Sequence, residues 1–225
     1  MNIAIFGGTF DPIHAGHMAA AHAAQRRFDL GRVLFIPTGN PPHKPRDHLT
    51  DYAQRFAMVA VACANEPRFI PSAIEAPTVD GSPRYSIDTV RRVRRKLRQH
   101  DRLFFLVGAD AFLDLPYWKE FRRLLDSVEF IVVSRPGFDV EALRQVPPPD
   151  LLPARRLAPR SETIRLRHGA IHLLGGVDAS VASRDIRQAV RARKPIAGLV
   201  PKLVEEYILK EGLYGFGTGV KRFER

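Results

Sequence analysis

The chain opens on a short unbroken apolar run, Ile3-Ala4-Ile5-Phe6, that stops at Gly7-Gly8. A run without polar alternation predicts a strand buried on both faces, as in a parallel sheet. Helix formers follow in Met18-Ala19-Ala20-Ala21-His22-Ala23-Ala24-Gln25-Arg26-Arg27-Phe28, and this pattern predicts a helix closed near Gly31. Val33-Leu34-Phe35-Ile36-Pro37 then predicts a second buried strand. Strand, helix, strand at this spacing is a βαβ unit, whose crossover is almost always right-handed.

The alternation continues along the chain. A helix is predicted over about 50–65 with Thr50 or Asp51 as N-cap, an edge strand over 70–74, and a basic helix from Tyr85 to about 99. Leu103-Phe104-Phe105-Leu106-Val107 predicts a buried strand ending at Gly108-Ala109-Asp110. Residues 121–125 read as helix and 129–133 as a strand, broken by Arg135-Pro136-Gly137. Residues 147–168 are rich in Pro and Arg and poorly periodic, which predicts a loop or linker. Ile171-His172-Leu173-Leu174 reads as the last strand, Ser183 as the N-cap of a helix through 191, and Pro201 and Gly212 frame a final helix. The expected fold class is α/β, a doubly wound parallel sheet of Rossmann-like type. It is expected to form one domain over 1–215 with an insertion near 147–168, followed by a basic tail at 216–225.

Composition narrows the setting. The 225 residues are 45% hydrophobic, enough for a sizeable core, and no apolar stretch approaches the roughly 20 residues that span a bilayer. No membrane partner is expected. The first residues lack a basic signal n-region, and Cys63 is the sole cysteine, so the expected location is a reducing cytoplasm. A net charge of +11 suits anionic partners without saying which. The arginine runs at 91–98 and 155–167 read as a solvated helix face and a basic loop. Nucleic acid is not the expected partner, because no interleaved aromatics or reader motif accompany them.

The chemistry concentrates where the first strand ends. Gly7-Gly8-Thr9 lies at a strand's carboxyl end, where open α/β sheets bind ligands, and glycines let backbone approach a phosphate. His14 and His17, three residues apart at a helix start, point the same way and offer donors to phosphoryl oxygens. A zinc site is not expected there, since no Cys or carboxylate stands at ligand spacing.

The order Gly7-Gly8-Thr9-Phe10-Asp11-Pro12 and His14-x-Gly16-His17 resembles the signature of the nucleotidyltransferase superfamily that includes the HIGH-type aminoacyl-tRNA synthetases. Further segments follow in order: Asn40-Pro41-Pro42-His43-Lys44, Gln54-Arg55-Phe56-Ala57-Met58, Tyr85-Ser86-Ile87-Asp88-Thr89, Gly108-Ala109-Asp110, Leu115-Pro116-Tyr117-Trp118, Arg135-Pro136-Gly137 and Glu211-Gly212-Leu213-Tyr214. Together they closely resemble the bacterial nicotinate-nucleotide adenylyltransferases, over nearly the whole chain except about 140–169.

That resemblance implies ATP and nicotinate mononucleotide as partners, with Mg²⁺ held mainly through ATP phosphates and no metal site of the protein's own. It implies that Gly7, Gly8, Thr9 and Phe10 line the nucleotide, and that His14 and His17 hold ATP phosphates, His17 the α-phosphate. Gly108 and Asp110 would sit beside the adenosine, and Arg135 would join the ATP site. Lys44 would reach the substrate or transition-state phosphates, Trp118 would stack on the nicotinate ring, and Ser86 would help bind its carboxylate. The family's C-terminal Ile-Ser-Ser-Thr-x-Ile-Arg motif reads here Val181-Ala182-Ser183-Arg184-Asp185-Ile186-Arg187. Ser183 and Arg187 are retained as triphosphate ligands, Arg187 with His14, His17 and Lys44 in the catalytic set, while Ala182 and Arg184 replace two hydroxyl residues. Related adenylyltransferases acting on nicotinamide mononucleotide or phosphopantetheine, and a sensor or nucleic-acid binder that keeps the fold, are the rival readings. A homo-oligomer is left open.

Overall fold

The computed structural model describes residues 1–40, 49–153, 161–177 and 181–215. Its centre is a seven-stranded sheet in the order β3-β2-β1-β4-β5-β7-β6. The strands are β1 (Asn2–Gly8), β2 (Leu30–Pro37), β3 (Phe69–Pro71), β4 (Arg102–Gly108), β5 (Glu129–Val133), β6 (Thr163–Arg165) and β7 (Ala170–Leu174). Every pairing is parallel except β6 on β7, an antiparallel edge hairpin. The sheet is therefore doubly wound as expected, with one antiparallel edge strand added.

Period-two alternation sends neighbouring residues of each buried strand into two separate cores. Ala4, Phe6, Phe104, Leu106, Ile131 and Val133 face one layer. It is completed by Met18 and Ala21 of α1 (Ala15–Arg27), Met58 of α2 (Tyr52–Cys63), Ile186 of the helix Ser183–Arg191 and Val204 of the helix Lys202–Lys210. Ile3, Ile5, Phe105, Val107, Phe130 and Val132 face the other. There they meet α3 (Ser86–Arg94), α4 (Ala109–Leu113), α5 (Phe121–Ser127) and α6 (Val140–Arg144). The two C-terminal helices, Ser183–Arg191 and Lys202–Lys210, are α7 and α8. Both faces being covered explains why these strands read as unbroken apolar runs.

Several boundaries moved for local reasons. Helix α1 starts at Ala15 rather than Met18, because His14 caps it, and it stops at Arg27 ahead of Asp29, whose φ is 44°. Gly31 lies inside β2 and closes no helix. Helix α3 ends at Arg94, not near 99. Ser183 is the first residue of α7, and the N-cap position belongs to Ala182. The Pro/Arg-rich stretch contains β6, so it is not wholly loop.

Strands β1 and β4 are adjacent and parallel, yet the chain winds outward from them in opposite directions. Their carboxyl ends thus form the topological switch point, where such sheets open a crevice. Among the described residues no helix is long and apolar enough to cross a membrane. Part of the basic face of α3 is engaged within the fold. Arg91 pairs with Asp88 and Glu120, Arg92 donates to the Ile74 carbonyl, and Arg94 to the Ser127 carbonyl.

Candidate active site

A cavity of about 410 Å³ occupies the switch point. Residues 6–10 from the end of β1 form one wall and 106–111 from the end of β4 the other. His14, Gly16 and His17 of the α1 start close its floor, while Arg135, Phe138 and residues 181–183 close the far side. Glycine at position 8 is set by packing: a Cβ there would meet the Phe10 ring at 3.0 Å. At Gly108 a Cβ would have no protein atom within 4 Å, so that glycine leaves open space on the cavity wall.

His14 and His17 form a reciprocal cap on α1. The Nδ1 of His17 accepts from the His14 backbone N–H at 3.2 Å, and the Nδ1 of His14 accepts from the His17 backbone N–H at 3.3 Å. A neutral imidazole that accepts at Nδ1 carries its proton on Nε2. The caps therefore fix both tautomers and leave two Nε2–H donors, on rings stacked 3.6 Å apart. Burial lowers the pKa of His14 to about 4, helped by the Arg135 charge. Burial also holds His17 well below its ordinary value, with His14 adding to the effect. Both rings are neutral at pH 7, so the site presents donors and helix-terminal N–H groups rather than two imidazolium charges. Phe10 (1% exposed) packs edge-on against His17 at 5.0 Å and against Phe6 at 5.6 Å, which fixes the ring from behind.

The turn from β1 to α1 is anchored from three directions. Phe10 has a φ of 50°, and the Asp11–Pro12 peptide is cis. Arg55 of α2, almost wholly buried, donates to the Thr9 carbonyl at 2.7 Å and to the Thr50 carbonyl at 2.9 Å. Arg187 donates to the Asp11 carbonyl at 2.6 Å and Ser183 to the Pro12 carbonyl at 2.9 Å. The buried Asp11 carboxylate accepts from the Thr50 backbone N–H at 3.2 Å and from the Tyr214 hydroxyl at 2.8 Å.

The cavity thus gathers Gly7, Gly8, Thr9, Phe10, His14, His17, Gly108, Asp110, Arg135 and Ser183 from the expected ATP set. Arg187 stands apart. It does not line the cavity, and one of its nitrogens is engaged by the Asp11 backbone. Ala182, on the cavity wall, offers α7 no side-chain cap, while its carbonyl accepts from the Asp185 and Ile186 N–H groups at 3.0 and 3.3 Å. Ser86 opens α3 and Trp118 follows the 3₁₀ turn Leu115–Tyr117; neither lines this cavity. Trp118 packs half-buried against the second apolar layer, its ring edge-on to Phe105 at 6.0 Å, and Ser86 precedes Ile87, a buried residue of that layer. Lys44 lies outside the described residues. Asp11, Arg55 and Tyr214 anchor the turn through hydrogen bonds to residues distant in the chain, a role that residue type and spacing do not reveal.

Comparisons with known proteins bear on the family and the fold. The cytidylyltransferase-like family model matches residues 5–189. A probable nicotinate-nucleotide adenylyltransferase of Moorella thermoacetica is 40% identical over 212 residues, covering 94% of this chain and 91% of that protein. Its namesake from Geotalea uraniireducens is 37% identical over 217 residues, covering 95% and 98%. Among solved structures, the Plasmodium falciparum nicotinic acid mononucleotide adenylyltransferase complexed with NaAD aligns with a TM-score of 0.71 at 18% identity, over 96% of this chain and 98% of that one. That likeness carries the fold. The near full-length sequence relatives carry the family, and the chain belongs to the nicotinate-nucleotide adenylyltransferases within the cytidylyltransferase-like family.

Proposed function

We propose that the protein transfers the adenylyl group of ATP to nicotinate mononucleotide, giving deamido-NAD and pyrophosphate in NAD biosynthesis. The observation that carries this reading is the pair of neutral imidazoles, both tautomers fixed with Nε2–H free to donate, at the floor of the switch-point cavity. In this reading a 5′-phosphate oxygen of the mononucleotide attacks the α-phosphorus of ATP. The bond from that phosphorus to the bridging oxygen breaks, and pyrophosphate leaves with the electron pair. The attacking group is already an anion, so no side chain serves as nucleophile or base. Positioning and stabilisation of developing charge supply the acceleration.

The roles in this reading are those that the family resemblance implies for each residue. His14 and His17 donate to ATP phosphates, His17 to the α-phosphate. The backbone of residues 7–10 cradles the nucleotide, and Gly108 and Asp110 take the adenosine, the carboxylate accepting from a ribose hydroxyl. Arg135 and the opening turn of α7, with Ser183, receive the outgoing pyrophosphate. Arg187, one nitrogen of which donates to the Asp11 carbonyl, is the further triphosphate ligand in this reading. Lys44 meets the mononucleotide phosphate, and Trp118 and Ser86 take the pyridine ring and its carboxylate. A Mg²⁺ ion, if it arrives with ATP, would be held mainly by the nucleotide's own oxygens and would supply neutralisation of phosphate charge. Asp110 is the carboxylate on the cavity wall.

Pyrophosphate release from purified protein tests the reading, with ATP and either nicotinate or nicotinamide mononucleotide. The expected result is a kcat/KM at least about ten-fold higher for nicotinate, in line with discrimination by one polar group (~1.4 kcal/mol per ten-fold). Absence of pyrophosphate with both mononucleotides overturns the proposal.

A further inference from the structure

Asp11 and Tyr214 are 203 positions apart in the chain, and their side chains meet at 2.8 Å. Asp11 is 2% exposed, and its two carboxylate oxygens are each occupied, one by Tyr214 and one by the Thr50 N–H. Tyr214 has a φ of 63°, a left-handed conformation that disfavours an aromatic residue and persists only where the surroundings impose it. Its hydroxyl also approaches the Met58 sulfur at 3.8 Å. On the other side of this contact, Phe10 is also left-handed, with a φ of 50°. Two unfavourable backbone conformations thus flank one partly buried hydrogen bond.

The neighbouring carbonyls show what the contact serves. Those of Thr9, Asp11 and Pro12 each accept from a side chain of another element, namely Arg55, Arg187 and Ser183. The Ala15 N–H in turn donates to the Leu199 carbonyl at 2.9 Å. Much of the segment that delivers His14 and His17 is therefore held by the C-terminal quarter of the chain.

We propose that Tyr214 is a positioning residue for adenylyl transfer, latching the C-terminal turn onto Asp11 so that the β1–α1 turn sets both imidazoles. The catalytic part rests on the adenylyl-transfer reading above. Positioning matters because displacements of about 1 Å at a reacting centre cost on the order of 10²-fold in rate. The hydroxyl touches no reacting atom in this scheme; it acts through Asp11.

Tyr214→Phe keeps the ring and removes the hydroxyl. Backbone hydrogen exchange over residues 9–17 is expected to accelerate about ten-fold or more, with β5 unchanged. At a temperature well below the melting transition, kcat is expected to fall about ten-fold, with the KM for nicotinate mononucleotide unchanged. Asp11→Asn is expected to give a similar loss, and the double variant no more than the larger single loss. Unchanged exchange over residues 9–17 overturns the latch, as do additive losses or a lowered melting temperature with unaltered kcat. Should Tyr214→Phe not fold, Asp11→Asn reads the same exchange. The exchange measurement needs no substrate, so it decides the latch even where absent pyrophosphate release has overturned the adenylyl-transfer reading.

Discussion

The imidazoles of His14 and His17 lie stacked with centroids 3.6 Å apart, each accepting at Nδ1 from the other's backbone N–H. The reciprocal pair thereby caps the helix and sets both tautomers, so capping and the proposed donor role separate by substitution. His17→Asn keeps a side-chain acceptor near the cap but removes the Nε2–H donor. His17→Ala removes both, at a stability cost of about 1 kcal/mol for the cap. Each variant is expected to lose about 10²- to 10³-fold in kcat, the magnitude of losing one preorganised donor, while circular dichroism shows the helices intact. A folded His17→Ala protein with wild-type pyrophosphate release would remove the pair from the mechanism.

Stability should fall on mild acidification. An unfolded histidine titrates near 6.5 whereas His14 in the fold titrates at about 4, mainly through burial. Between these values the unfolded chain holds a proton that the folded chain excludes. Stability from this group is therefore complete above 6.5 and lost as pH falls toward 4. The full difference is about 3 kcal/mol, of which about 2 kcal/mol is lost by roughly pH 5. His17 shifts in the same direction, and because the rings are coupled the two losses do not simply add. Urea midpoints at about pH 7 and pH 5 measure this, with His14→Asn expected to flatten the dependence. A midpoint that does not move between those pH values contradicts neutral burial of His14.

The central strands and their helices were legible because each buried strand carries an apolar run of four or five residues, and each run is punctuated by Gly, Pro or a polar residue. The site was legible where one short segment carries it, as in residues 7–17. What stayed hidden depended on contacts distant in sequence. Strand β6 has three residues, too few for a period, and exists because β7 offers it an edge. Ser183 looked like an N-cap by residue type, yet its hydroxyl is engaged by Pro12, 171 positions away. Helices α4 and α6, five residues each, are likewise too short to announce themselves.

Gly108 separates cavity shape from fold stability. Its φ of −73° and ψ of 151° suit any residue, and an added Cβ meets no protein atom within 4 Å. Gly108→Ala is therefore expected to leave the melting temperature unchanged or slightly raised, by up to about 1 kcal/mol of stability. The methyl group projects into the space given to adenosine, so the KM for ATP is expected to rise about ten-fold. A normal KM for ATP would place the adenosine elsewhere, and a sharp drop in stability would mean that the wall packs more tightly than its geometry indicates.

Trp118 is the sole tryptophan, so the protein's indole fluorescence reports one position. The ring is half-buried, edge-on to Phe105, on the opposite side of the sheet from α1 and α7. In the proposed reading this ring is the platform for the pyridine and makes no contact with ATP. Nicotinate mononucleotide is expected to quench the emission in the absence of ATP, and ATP alone to leave it nearly unchanged. Stacking between aromatic rings is worth about 0.5–1.5 kcal/mol, so Trp118→Ala should raise the KM for the mononucleotide up to about ten-fold with a smaller change for ATP. Quenching by ATP alone, with none from the mononucleotide, would reverse the assignment of the two subsites.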